Sequence, residues 1–128
     1  MSSTLADRLR AAERRANADG NSWKSFFDVI AARLALSKEA IDLAKADFDR
    51  CISTISYAVL DSAETEAKTL ALNETICARD NIKAKFFSGS CPAFALDMAE
   101  TNVNNAVAAL YREKTNDYAT EKARRGDA

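Results

Sequence analysis

The feature that most constrains this sequence is a long apolar stripe between Ser37 and Leu60. Apolar residues recur there at three- and four-residue spacings, which places them on one face of an α-helix. These residues are Ala40, Ile41, Ala44, Phe48, Cys51, Ile52, Ile55, Ala58 and Val59. Because exposing such a face to water costs free energy, we expect other parts of the chain to cover it.

The composition favours helices as the covering elements. The chain has 128 residues, of which 48% are hydrophobic and 29% charged, with only three Gly and one Pro. This length suits one domain, residues 1–128, and so few turn-forming residues disfavour a β-sandwich. The sequence therefore predicts an all-α bundle of four to five amphipathic helices with short connections.

Capping residues predict where the first two helices begin. Ser3 or Thr4 is suited to cap a basic helix within residues 1–20, which ends at Asp19-Gly20-Asn21 and docks loosely because its apolar stripe is thin. Ser22 is suited to cap a second helix over residues 23–36, and Ser37 to start a third that ends near Leu60.

The apolar pattern changes phase near Asp61-Ser62, which is consistent either with a break or with one helix that changes its partner face. The expected stripe after this point is Ala63, Ala67, Leu70, Ala71, Ala78 and Ile82. Leu72, Ile76 and Phe87 lie off that stripe. Apolar residues on two sides of residues 62–87 indicate a helix between two neighbours or one that pairs with another copy of the chain.

A turn at Ser88–Pro92 precedes the last predicted helix, residues 92–123. Gly89 is suited to end a helix and Pro92 to occupy the first position of the next. The apolar stripe of this helix fades at Lys114. We therefore expect its C-terminal end to project or fray and residues 124–128 to form a disordered tail.

Large side chains define the expected core. Residues 23–36, 38–60 and 92–112 should form most of it, with an aromatic stripe facing the stripe of residues 37–60. That aromatic stripe comprises Trp23, Phe26, Phe27, Ile30 and Leu34. Phe94 and Met98 point away from the stripe of their own helix and are candidates for contact with a partner.

The three cysteines suggest a reducing compartment. Cys51, Cys77 and Cys91 are odd in number and widely spaced, which fits neither a disulfide framework nor a zinc site. We expect buried, unreactive thiols. Residues 1–15 are charged and lack the apolar core of a signal peptide, and no run reaches the length of a membrane span. These features predict a cytoplasmic protein without membrane association.

The sequence contains few side chains suited to catalysis or metal binding. The chain contains no histidine, which removes the commonest general base and the usual zinc ligand. It also lacks a phosphate-binding glycine loop and a nucleophile elbow. We therefore expect no catalytic residues, no metal and no cofactor.

Residues 27–44 carry the only recognisable motif. Ala31 and Leu34 precede a turn, and Ile41 and Ala44 follow it, at helix-turn-helix spacing. The segment resembles the bihelical unit of bacterial transcription regulators, with Ala35 at a turn position that is usually glycine. This resemblance implies DNA contacts from Ser37 and Lys38, supported by Arg14 and Arg15.

The leading hypothesis is a non-enzymatic, self-associating interaction module: an adaptor, inhibitor or assembly subunit. Its predicted contact residues are a basic group on the first helix and two apolar residues on the last. They are Arg8, Arg10, Arg14, Arg15, Phe94 and Met98. A small DNA-binding regulator or packaging protein is the alternative, and nucleic acid is the second choice of partner after another protein.

Overall fold

The computed structural model describes residues 4–20 and 22–126, and its secondary structure confirms the all-α prediction. Within these residues there are four helices and no strand: α1 (Leu5–Ala18), α2 (Trp23–Ile52), α3 (Ala63–Phe87) and α4 (Ala93–Arg124). The alternative cap Ser3, Asn21 of the first turn, and residues 127–128 of the predicted tail lie outside the described residues.

The helices form an open bundle in the spatial order α1, α2, α4, α3. Packing joins α1 to α2, α2 to α4 and α4 to α3, and within the described residues α2 and α3 are not in contact. Ser37 meets Asn104 and Cys51 meets Thr115, so α2 and α4 run parallel. This pairing places the main core between α2 and α4. The predicted packing of the aromatic stripe against the stripe of residues 37–60 is wrong, because both belong to the same continuous helix.

The predicted helix break at Ser37 is wrong, because α2 continues through it. Ser37 is only 3% exposed. Its hydroxyl donates to the carbonyl oxygen of Leu34 at 2.7 Å and accepts from the Asn104 amide at 3.1 Å. A serine hydroxyl can bond to the backbone of its own helix as well as cap a helix. Here the bond from Asn104 keeps Ser37 in the interface between α2 and α4.

The predicted extension of the same helix to Leu60 is also wrong, because α2 ends at Ile52. The Ser53 hydroxyl donates to the Arg50 carbonyl, residues 53–54 form a turn, and the chain then continues without regular secondary structure to Ser62. Side chains in this segment alternate, with Ile55, Tyr57 and Val59 half-buried and their neighbours exposed. Serine, threonine and β-branched residues are weak helix formers, which explains the early end.

A break between the two segments, one of the two alternatives, is confirmed. Ser62 caps α3 by accepting from the backbone N–H of Thr65 at 3.2 Å.

The face that α3 turns toward α4 differs from the predicted stripe. Its half-buried or buried residues include Thr65, Thr69, Leu72, Ile76, Arg79, Ile82 and Phe86. Of the predicted stripe only Ile82 belongs to this face, and the alanines and Leu70 are exposed. Alanine buries little apolar area, so the larger Leu72, Ile76 and Phe86 determine how α3 docks.

The turn between α3 and α4 agrees with its prediction. Gly89 has φ +79°, a conformation that favours glycine. Pro92 is the N-cap of α4 rather than its first helical residue.

The C-terminal part of α4 does not project, which corrects that expectation. Lys122 donates to the Thr54 hydroxyl at 3.2 Å. Arg124 is the last helical residue, and the Arg125 guanidinium lies 3.9 Å from the ring centroid of Tyr57. The connecting segment 53–62 supplies the contacts that the apolar pattern of α4 alone could not reveal.

The fully buried core is small and mostly aliphatic. Its apolar members are Ala12, Val29, Ile30, Ala44, Val103 and Ala108. Ile30 confirms its predicted burial, whereas the predicted burial of Trp23 and Phe27 is wrong, because they are 71% and 46% exposed. Cys77 is exposed rather than buried.

Candidate protein-interaction site

Four aromatic rings gather where α2 and α4 begin. We call Trp23, Phe26, Phe27 and Phe94 the aromatic patch. Phe26 and Phe94 meet edge to face with centroids 5.1 Å apart, and Phe94 lies 5.9 Å from Phe27 and 6.4 Å from Trp23. Phe26 and Phe94 are half-buried, so Trp23 and Phe27 form the exposed part of the cluster.

Hydrogen bonds of the capping residues determine where α2 begins and therefore where the rings of the aromatic patch lie. The Ser22 hydroxyl accepts from the backbone N–H of Ser25 at 3.3 Å. The Ser25 hydroxyl in turn donates to the Asp19 carboxylate at 2.7 Å and is almost completely buried. These bonds tie the end of α1 to the first turn of α2, which holds Trp23 and Phe26 in place.

The charges at this end of the molecule are mixed. The parallel arrangement brings the N-terminal ends of α2 and α4 together, and neither first turn contains an acidic residue. Helix N-termini carry partial positive charge and helix C-termini partial negative charge, and α1 and α3 end near this region. Lys24 is exposed beside Trp23, while Asp19 and Asp28 supply negative charges.

A cavity of about 270 Å³ adjoins the aromatic patch. Phe26, Ile30 and Met98 provide its apolar lining, and Glu13 and Arg33 lie across it with their charged groups 4.0 Å apart. Small-molecule sites are commonly about 300–1,000 Å³. This cavity is better matched to one or two large apolar side chains than to a whole ligand.

The apolar residues predicted as contacts lie at this site. Phe94 belongs to the aromatic patch, and Met98 lines the cavity with 46% exposure. The basic residues are elsewhere on α1: Arg8, Arg10, Arg14 and Arg15 are all exposed. Arg10 is paired with Asp7 at 2.5 Å, and the Arg10 guanidinium together with the Thr4 cap lowers the pKa of Asp7.

The residues predicted for DNA contact are not brought together as a reading surface. Residues 27–44 lie within one continuous helix, so the two-helix unit with its turn is absent from this segment. Ser37 is buried against α4, whereas Lys38 is exposed.

Trp23 and Phe27 belong to the candidate site, although their side chains were predicted to lie in the core. The spacing of the aromatic residues could have distinguished them from the buried residues of α2. Trp23 and Phe27 share one i, i+4 row, while Phe26 and Ile30 share another, and only one row can face the helix interface squarely. The position of Phe94 on α4, against all three aromatic rings of α2, decides which row is covered.

A larger cavity of about 650 Å³ lies at the opposite end of the molecule, between residues 58–62, the start of α3 and the end of α4. Three of its charged groups bond to one another. Hydrogen bonds from Arg124 and Arg125 lower the pKa of Glu121 to about 2. Glu121 is thus paired with both arginines.

Asp117 in the same cavity anchors α3. Its carboxylate accepts from the Thr65 hydroxyl at 2.5 Å and from the Ser62 backbone N–H at 3.0 Å. Burial alone would raise the pKa of Asp117, but the hydrogen bonds from Thr65 and Ser62 outweigh it and lower the pKa.

Among residues 4–20 and 22–126, no group of three or more Cys, Asp or Glu side chains is arranged to hold a metal ion. None of the helices in that part of the chain combines the length and apolarity needed to cross a bilayer. Comparison of the chain with models of known protein families, with curated proteins and with solved structures found no match.

Proposed function

We propose that this protein is a non-enzymatic interaction module, an adaptor, inhibitor or assembly subunit that binds another protein through the aromatic patch. The observation that carries the proposal is the exposure of Trp23, 71%, within a cluster of four rings. Tryptophan is among the residues most enriched at the energetic centres of protein interfaces.

The total surface supports a role in contact. A compact monomer of 14.0 kDa exposes about 6,700 Å². This chain exposes 8417 Å². A standard interface removes about 800 Å² from each partner, so the excess is large enough for a partner and for self-association as well.

The chemistry of the patch defines the partner. Exposed rings beside a cavity for one or two side chains fit the apolar face of an amphipathic helix. Lys24 and the two helix N-termini favour acidic residues flanking that face. We therefore propose a partner helix with large apolar anchors and acidic neighbours.

Site-specific photo-crosslinking tests the proposal. A photoreactive amino acid at position 23 should capture a partner in the native source, whereas one at Leu43, 60% exposed on the same helix, should not. The purified partner should then bind Trp23→Ala/Phe27→Ala at least about tenfold more weakly. Equal affinity for this variant and for the control Leu43→Ala would refute the proposal.

Nucleic-acid binding is the second candidate, and one observation favours it. Arg8, Arg14 and Arg15 are exposed on α1 and form no ion pair in the described structure. Carboxylates repel phosphates, and three of them are exposed on α2, which weakens the case for nucleic-acid binding. They are Asp28, Glu39 and Asp42.

A gel-shift titration against duplex DNA over a range of salt concentrations distinguishes the two candidates. Salt-sensitive binding that Arg14→Ala/Arg15→Ala weakens would favour nucleic acid. Binding that the aromatic variants alone abolish would favour the protein partner.

A further inference from the structure

We propose that the outer face of α3 binds the same face of a second copy, with the two helices antiparallel about a two-fold axis beside Glu74. This inference rests on the self-association included in the proposed function and names its interface. It leaves the aromatic patch free for a different protein.

The outer face of α3 has no partner within the described structure. In the spatial order α1, α2, α4, α3, the helix α3 is the outermost and packs against no helix other than α4. The side of α3 opposite α4 therefore faces solvent. Leu70 lies there, 64% exposed, and Glu74 and Cys77 follow at the spacing of successive turns. Ala67 and Ala78 flank them, so a second helix can approach closely.

The charges of α3 complement those of an antiparallel copy. Glu64 and Glu66 lie in the first turn and are exposed, and Lys85 lies in the last turn and is exposed. An antiparallel copy brings the acidic end of each helix to the basic end of the other, which a parallel copy would not do. The helix dipoles add to this preference.

Sequence spacing fixes the register. In an antiparallel pair, a residue before the axis faces one equally far beyond it. With the axis beside Glu74, positions 64 and 70 face Ala84 and Ala78 of the second copy. Lys85 and Cys77 are the next residues along that helix, so Glu64 and Leu70 lie one residue out of exact register with them. Each of these contacts occurs twice, as an isologous interface requires.

The same register contains one unfavourable contact, because the two Glu74 carboxylates meet at the axis. Like charges across an interface oppose association. Removing this charge should therefore strengthen the dimer, an outcome that no generic apolar association predicts.

Sedimentation equilibrium of the full-length chain over a wide concentration range tests the interface. We expect a monomer–dimer equilibrium whose Kd rises at least about tenfold in Leu70→Arg. Leu43→Arg is the matched control, a similarly exposed leucine on α2, and should leave Kd unchanged. Glu74→Gln should lower Kd.

A charge exchange tests the orientation of the two helices. Glu64→Lys and Lys85→Glu should each raise Kd about three- to tenfold, and the double variant Glu64→Lys/Lys85→Glu should restore it. Circular dichroism checks that every variant retains its helices.

Two results would overturn the inference: a wild-type chain that stays monomeric, or a dimer that Leu70→Arg does not weaken. If Trp23→Ala/Phe27→Ala dissociates the dimer instead, the aromatic patch is the self-interface and the α3 inference fails. Loss of the crosslinked partner with an intact α3 dimer would indicate that the proposed function alone is wrong.

Discussion

At the scale of single residues, polar side chains determine how the helices join. Thr65 is completely buried, and its hydroxyl bridges the start of α3 to Asp117 of α4. Ser37 has the corresponding role between α2 and α4. Buried polar groups with satisfied hydrogen bonds specify one packing arrangement, whereas leaving one of them unpaired is costly.

Thr65→Val should reduce the free energy of unfolding by about 1–3 kcal/mol, because it leaves the Asp117 carboxylate without its shortest hydrogen bond. Thr75→Val is the control, since the Thr75 hydroxyl bonds only to the Ala71 carbonyl of its own helix. Urea denaturation measures both variants. Equal losses in the two would show that the bridge between α3 and α4 contributes nothing.

Stability should also fall in acid. The folded-state pKa values of Asp117 and Glu121 are lowered, that of Glu121 to about 2 from 4.5. A group whose pKa is lower in the folded state stabilises the fold above its unfolded pKa and loses that contribution as pH falls through the folded value. Thermal melts should therefore weaken between pH 4.5 and pH 2.

Asp117→Asn should reduce this pH dependence, because it removes one of the three carboxyl groups, Asp7, Asp117 and Glu121, whose pKa is lowered in the folded state. An unchanged acid profile in the variant would show that Asp117 does not supply the effect.

At the scale of helices, the sequence predicted α1, the start of α2, the turn at Gly89 and the span of α4. Each of these has a local cause, such as a cap or a glycine with positive φ. The errors at Ser37 and Leu60 have tertiary causes. Asn104 bonds to Ser37 in the interface between α2 and α4, and residues 53–62 contact the C-terminal part of α4 through Thr54 and Tyr57.

The same limit applies to the candidate site. Phe94 and Met98 were predicted as contact residues because they point away from their own stripe. The spacing of the aromatic residues showed that Trp23 and Phe27 lie on a different row from Phe26 and Ile30. Which of the two rows is covered depends on α4 lying parallel to α2, and the sequence does not show that.

Proline at position 38 tests the continuity of α2. If Ser37 were an N-cap, Lys38→Pro would occupy the first helical position and be tolerated. Because α2 is continuous there, the substitution should cost about 3 kcal/mol or more. Lys38→Ala, also at this exposed position, should be nearly neutral, and denaturant titration compares the two.

At the scale of the whole molecule, the two ends of the bundle differ in character. Phe48, Tyr111 and Tyr118 pack together toward the C-terminal ends of α2 and α4. The aromatic patch occupies the opposite end, and exposed Phe87 lies at the end of α3 just before the turn that leads into α4. The rings at one end are thus packed between α2 and α4, and those at the other end are partly exposed to solvent.

The exposed rings of Trp23 and Phe27 should contribute little to the free energy of unfolding. Trp23→Ala/Phe27→Ala should lower the free energy of unfolding by about 1–2 kcal/mol, well below the 3–5 kcal/mol typical of one fully buried aromatic residue. Chemical denaturation gives this value. A loss as large as that of a core deletion would show that both rings are buried and that the patch is structural.

Acrylamide quenching of tryptophan fluorescence tests the central claim most directly, because Trp23 is the only tryptophan in the chain. We expect efficient quenching in the free protein and strong protection in the complex with the crosslinked partner. A Trp23 that is already shielded in the dilute monomer, or one that remains equally quenched in the complex, would contradict that claim.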